Sequence, residues 1–315
     1  MPDVPSNRGK AVRRCGARVV GVVSAALIAA GPLACGPPAI RSAPAGDWSA
    51  EDWRIFESKI GFAVSERLDT LPSGEAVGRL ALSFVGTRYT PGTLEAEGPE
   101  GLVINFREFD CVTFVENVLA MTRFIRGGGS ELLADPPAAR ARYEGHLTDL
   151  RYRGGVLDGY ASRLHYFSEW LADHASRGTL RIVTTDLDFE TDREPIDFMS
   201  SHPDSYRQLS DPRVRAAIES MERRLNASGD RAYIPQDRIA GIADGIRTGD
   251  VIAATSTVPG LDVAHTGLAV WVGGVLHLVH APLVGKAVEI SESSLADRIR
   301  GIAGQDGIMV ARPVF

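Results

Sequence analysis

"HTGLAVWVGGVLHLVHA", residues 265 to 281, consists of two β-rich runs joined by Gly273-Gly274. Paired glycines between such runs signal a two-residue hairpin turn, whose central residues need positive φ. The turn dictates a register in which Val272 faces Val275, Trp271 faces Leu276, and Gly267 faces His280. Residues 265, 267, 269 and 271 then share a face with 276, 278 and 280. His265 and His280 become diagonal neighbours, about 7 to 8 Å apart at the backbone, close enough for their rings to meet. His277 pairs with Val270 and points the other way, and Gly267 leaves room for the rings.

Around this hairpin the pattern is strand-like, with "GDVIAAT" (249–255), "AVEI" (287–290) and "GIMVARPV" (307–314), and a short helix is expected over 293–299. Upstream, helical spacing covers 47–62, 75–84 and 111–125, the last stopping at "GGG", 127–129. Residues 130–235 read as a mainly helical insert, notably at 161–175 and 212–227, with one strand at "LRIVTT" (180–185). These patterns predict an α+β fold in which the helix at Cys111 packs on an antiparallel sheet containing residues 250–313.

The chain has 315 residues, 44% of them hydrophobic, and a formal charge of −6. Lys and Arg are scattered after residue 40, so no basic face points to nucleic acid. Arg8, Lys10, Arg13, Arg14 and Arg18 precede an apolar stretch from Val19 to Ala34, the layout of a secretory signal over 1–34. Leu33-Ala34-Cys35 resembles a bacterial lipoprotein cleavage site, which would lipidate Cys35 and leave 35–46, rich in Pro, Ala and Gly, as a tether. Ordinary cleavage or a structural thiol at Cys35 are the alternatives. The expected location is the periplasmic side of the cell envelope, anchored to the membrane by lipid, with residues 47–315 as the folded domain.

Of three cysteines, Cys15 and Cys35 fall in or at the end of the leader, leaving Cys111 alone. A lone thiol in an exported protein is reactive, paired between molecules, or buried and inert. Local context favours the first. Asp110 can cap the helix and Cys111 then occupies its first position, where free amide N–H groups and the helix dipole favour a thiolate. The adjacent carboxylate partly opposes this, so a histidine partner is needed. His265 suits the general base and His280 the third member that fixes its tautomer, with the Cys111 N–H as an oxyanion donor. No CxxC or HxxxH pair argues for zinc, and neither a metal nor a cofactor is expected. His146, His165, His174, His202 and His277 read as structural.

Tyr89 in "GTRYTPG", Asp110-Cys111 at a helix start, Gly249-Asp250 opening a strand, His265 in "HTGLAV" and His280-Ala281 closing a hairpin together resemble the NlpC-type cell-wall hydrolases. The resemblance implies a papain-like architecture with a helix-borne Cys, a strand-borne His and a polar third residue. Within that group, "TLEAEGPEGLVINFREFDCVTFVENVLA" (93–120), "FMSSHPDSYRQL" (198–209), "YIPQDRI" (233–239) and "LHLVHAP" (276–282) are similar to the N-acetylmuramoyl-L-alanine amidase-like family. What this implies is cleavage of the amide between N-acetylmuramic acid and L-alanine in small peptidoglycan fragments, the muropeptides, by Cys111, His265 and His280. Tyr89 matches a tyrosine beside the nucleophile. Arg107, Ser201, His202 and Tyr206, in family-like loops, are candidates to bind substrate, and the helical insert would wall the cleft. Pro282 departs from the family, where Ser is more usual after His-Ala. The alternatives are an NlpC-type endopeptidase cutting between D-glutamate and the diamino acid, or a lipoprotein that binds peptidoglycan without catalysis.

Overall fold

The computed structural model describes residues 46–283 and 286–315. The expected signal peptide, Cys35 and nearly all of the tether lie outside the described residues.

The first five helices are α1 (Ala50–Ser65), α2 (Ser73–Leu82), α3 (Cys111–Arg126), α4 (Pro136–Arg151) and α5 (Phe167–Ser176). The one-turn α6 (Phe198–Ser201) and the 16-residue α7 (Pro212–Ala227) follow, then α8 (Ile239–Ile242) and α9 (Leu295–Gly301). The strands are β1 (Arg88–Tyr89), β2 (Glu108–Phe109), β3 (Leu180–Ile182), β4 (Glu190–Asp192) and β5 (Arg231–Pro235). Those near the hairpin are β6 (Val251–Ser256), β7 (Val263–Val272), β8 (Val275–His280), β9 (Glu289–Ile290) and β10 (Gln305–Pro313). Among the described residues no helix is long and apolar enough to cross a membrane.

An antiparallel sheet runs β4-β5-β10-β6-β7-β8-β9, with β3 also pairing β10. Around Gly273-Gly274, both at positive φ, Val272 pairs with Val275, Trp271 with Leu276 and Val270 with His277. This is the register a two-residue turn demands. Alternation then sorts the sheet into two faces. Leu268, Val270, Val279, Ala253 and Met309 join one core with α1, α2, α3 and α4. Ala269, Leu276, Leu278, Ile252 and Ile308 join a second core with Leu295 and Ile299 of α9. The first core is the larger, and α3 runs through its middle.

Helix α3 is buried nearly all round from Thr113 to Ile125 rather than along one stripe. Its polar residues are therefore paired: Glu116 takes the Arg151 guanidinium at 2.7 Å, and Asn117 accepts the Tyr143 hydroxyl at 2.5 Å. Removing one partner of such a buried pair strands the other, which fixes α3 against α4. The helix expected over 161–175 begins only at Phe167. Ahead of it Arg163 is extended, and its guanidinium holds Glu95, Glu100 and the Leu94 carbonyl. Those tertiary bonds override local helical preference. The 130–235 segment likewise supplies β3, β4 and β5 to the sheet, two strands more than its periodicity suggests. Its aromatic residues form a third cluster with Tyr160, Tyr166, Met199, Leu209 and Met221.

Candidate active site

The start of α3 is built by a reciprocal capping box. Asp110 Oδ1 accepts the Thr113 N–H at 2.8 Å, while Thr113 Oγ1 accepts the Asp110 N–H at 2.9 Å. This leaves Cys111 as the first helical residue, the one cysteine among the described residues, only partly exposed. Its thiol is not the acidic one expected from the helix end. Burial, with the Asp110 carboxylate behind it, pushes the thiol up to about 12. The backbone N–H groups of Thr266, Cys111 and Val112 pull the other way and are outweighed. The helix end acts in the anticipated direction, but desolvation of the sulfur is larger.

The Thr266 amide also locates the thiol on β7, because the preceding residue is His265. His265 Nε2 lies 2.9 Å from His280 Nδ1, the rings crossing edge to face at 5.0 Å and 88°. Alternation along β7 and β8 puts both rings on the sheet face covered by α9, opposite the face that packs on α3. The thiol and the ring pair thus come to neighbouring residues of one strand from different sides. Burial depresses both ring pKa values, and the Arg298 guanidinium depresses them further, so both imidazoles are neutral in neutral solution. Gly267 is required here: a Cβ would stand 2.7 Å from the Val279 carbonyl and 2.9 Å from His280 Cβ.

Tyr89 joins the group through backbone pairing. Its N–H donates to the Lys286 carbonyl at 2.8 Å, and Thr90 N–H donates to the Phe109 carbonyl at 2.9 Å, which hooks β1 beside the start of α3. Burial chiefly, then the thiol and the Asp110 carboxylate, raise the phenol. Tyr89, Asp110-Cys111 and Thr266, the neighbour of His265, therefore meet from three separate places in the sequence, and His280 reaches His265 from a fourth.

The family profile described as AmiA-like, N-acetylmuramoyl-L-alanine amidase-like, matches residues 79–305. The chain belongs to this family. Among solved structures, a Bacteroides uniformis N-acetylmuramoyl-L-alanine amidase is 36% identical, with a TM-score of 0.70, over 77% of this chain and 99% of that one. A Bacteroides fragilis structure provisionally called a xylanase is 35% identical, with a TM-score of 0.67, over 74% of this chain and 98% of that one. The Legionella pneumophila protein LPG0564 is 20% identical, with a TM-score of 0.59, over 85% of this chain and 97% of that one, and shares the fold. No curated protein matches the chain.

The remaining candidates of this amidase-like chain sit elsewhere. Arg107 donates to Asp52, a fully buried carboxylate, at 3.1 Å and lines a cavity of about 430 Å³ with Leu94, Asn105 and Gln208. Tyr89, Cys111, His265 and His280 are not in that wall. Ser201 and His202 are exposed, and the His202 ring stacks on Phe198 at 4.3 Å. Tyr206 packs into the third cluster, where burial, Glu95 and Glu222 raise its phenol. Two residues that sequence reading passed over do touch the ring pair. Arg298 Nε is 3.3 Å from His280 Nε2, and Glu289 Oε1 is 3.8 Å from the same nitrogen. The β8–β9 pairing that brings Glu289 opposite His280 closes over residues 281–288, whose Pro282 and Gly285 signal a turn without fixing the register.

Proposed function

We propose that this chain is a cell-wall hydrolase that cleaves the amide between N-acetylmuramic acid and L-alanine in peptidoglycan fragments, with Cys111 as nucleophile, His265 as general base and His280 orienting it. The observation that carries the reading is the thiol at the head of α3 against the Thr266 amide, one residue along β7 from His265, whose ring is held by His280. We extend it to an NlpC-type, papain-like site on an exported chain tethered by lipid at Cys35.

The chemistry follows from the neutral resting site. A thiol raised to about 12 beside depressed imidazoles does not form an ion pair at rest. The Cys111 proton therefore moves to His265 as sulfur bonds to the lactyl carbonyl carbon, and the Cys111 N–H meets the developing oxyanion. Collapse breaks the C–N bond, and His265 returns the proton to the departing L-alanine amine. His265 then deprotonates water, which hydrolyses the thioester and regenerates the thiol. Glycoside hydrolysis, the activity provisionally given to one similar structure, needs two free carboxyl groups about the scissile bond. Near Cys111, Asp110 is committed to the helix cap and Glu116 to Arg151, which supports amide chemistry instead.

The test is wild type beside Cys111→Ala on defined muropeptides, with products weighed by mass spectrometry. Free sugar acid plus intact peptide from wild type alone supports the proposal. A released Ala-Glu fragment would make the chain an endopeptidase, and product formation equal in both proteins would remove Cys111 from the chemistry.

A further inference from the structure

The His280 ring has two nitrogens and three polar neighbours. Nδ1 faces His265 Nε2 at 2.9 Å and also has Arg298 Nη2 at 3.5 Å. Nε2 lies 3.3 Å from Nε of Arg298, on α9, and 3.8 Å from Oε1 of Glu289, its cross-strand partner on β9. A neutral imidazole carries one N–H and one lone pair. The neighbour at Nε2 therefore decides which nitrogen of His280 holds the hydrogen. Through the 2.9 Å bond it also decides which nitrogen of His265 does.

A guanidinium can only donate. When Arg298 donates through its shorter contact, Nε to Nε2 at 3.3 Å, it requires a lone pair there, so the His280 hydrogen sits on Nδ1 and is donated to His265 Nε2. Neutral His265 must then carry its own hydrogen on Nδ1, and no nitrogen is left to take the thiol proton. A carboxylate can only accept when ionised. Facing Nε2, Glu289 fixes the hydrogen there, and His280 Nδ1 accepts from His265 Nε2–H. The Nδ1 of His265 is then a lone pair, ready to receive a proton.

We propose that Glu289 is a positioning residue that selects the proton-accepting tautomer of His265 by taking the Nε2–H of His280, in competition with Arg298. This rests on the Cys111–His265 reading above. Glu289 is 43% exposed in its side chain, so a rotamer change can close the 3.8 Å gap. Arg298 has a buried Nη1 with no partner, so its present position is not fully tied down. Burial and Arg298 keep both rings uncharged, which leaves the tautomer as the variable that these two neighbours control. During attack one proton passes from sulfur to His265 Nδ1, the S–C bond forms, and no proton need cross to Glu289.

Proton-detected ¹⁵N spectra of the full chain with labelled histidine, at pH 7, report which ring nitrogen bears hydrogen. Wild type should show the His280 hydrogen on Nε2. Glu289→Ala should move it to Nδ1 and lower kcat at least 10-fold with KM within two-fold. Glu289→Gln, whose amide oxygen still accepts, should keep Nε2–H and most of the turnover. Wild-type enzyme that turns over with the His280 hydrogen on Nδ1 would overturn the proposal. So would Glu289→Ala with unchanged tautomer and kcat. Cys111→Ala separates the two readings: its full activity would sink the thiol mechanism, whereas its inactivity beside an unaffected Glu289→Ala would sink only the role of Glu289.

Discussion

Asp110 works on Cys111 in two opposed ways: its carboxylate caps the helix that presents the thiol, at 2.8 Å from the Thr113 amide, and its charge raises the pKa of that thiol. The two effects can be separated, because Asn caps a helix as well as Asp and carries no charge. Asp110→Asn should therefore leave the fold intact and lower the thiol pKa. Iodoacetamide alkylation of Cys111 should show its pH midpoint shifted down, with a faster rate at pH 8.5. Asp110→Ala should lose the capping box as well, at a cost of about 1 kcal/mol. An unchanged alkylation midpoint in Asp110→Asn would mean that burial alone sets the thiol.

Arg298 depresses both ring pKa values, acting after burial at His265 and after burial and the His265 ring at His280. His265 must be neutral to accept the thiol proton, so activity falls as pH drops through the pKa of the pair. Arg298→Met keeps the apolar stem and removes the charge. Both ring pKa values should then rise toward 6.5, and the acid limb of kcat/KM should move to higher pH. The groups acting on these rings come from β7, β8, β9 and α9: the two histidines themselves, Glu289 and Arg298. A pH–rate profile with the same acid limb in both proteins would remove Arg298 from the electrostatics of the site.

Gly267 is where the hairpin's backbone leaves no room. An added Cβ would meet the Val279 carbonyl at 2.7 Å and His280 Cβ at 2.9 Å, and neither can yield without shifting β8. Gly267→Ala should cost about 1–3 kcal/mol in urea unfolding, the usual range for overpacking. It should also lower kcat at least 10-fold by displacing His280 from His265. Wild-type kinetics in Gly267→Ala would show that the 2.9 Å ring contact is dispensable.

The hairpin was readable because its information is local: two glycines fix the turn, the turn fixes the register, and the register places His265 beside His280. The α3 start was readable for the same reason, since Asp110 and Thr113 complete the cap within one turn. The state of the thiol was not. Its raised pKa comes from burial by distant elements, which no helix-end argument contains. Arg298 reaches His280 because α9 folds back over the sheet, and Glu289 because β9 pairs with β8. Both depend on long-range packing. Ser201 and His202 were chosen from loop sequence alone, and the structure puts them on an exposed turn.

Three histidines away from the site, His174 buried and His146 and His165 partly so, make a prediction about stability. Burial, a larger effect than nearby arginines or backbone bonds, lowers His146 and His174 to about 4 and His165 to about 3. His174 is neutral by construction: Nε2 donates to the Leu150 carbonyl at 2.9 Å while Nδ1 faces Arg177 Nη2 at 2.8 Å. Below pH 6.5 the unfolded chain binds protons at these rings and the folded chain does not, so stability is present above 6.5 and is lost as pH falls toward 4. Each ring that stays neutral contributes a slope of up to about 1.4 kcal/mol per pH unit below its unfolded pKa. Urea unfolding at pH 7, 6 and 5 should show a falling midpoint, and His174→Gln should flatten that fall. Equal midpoints across the three pH values would mean that these rings take up protons inside the fold.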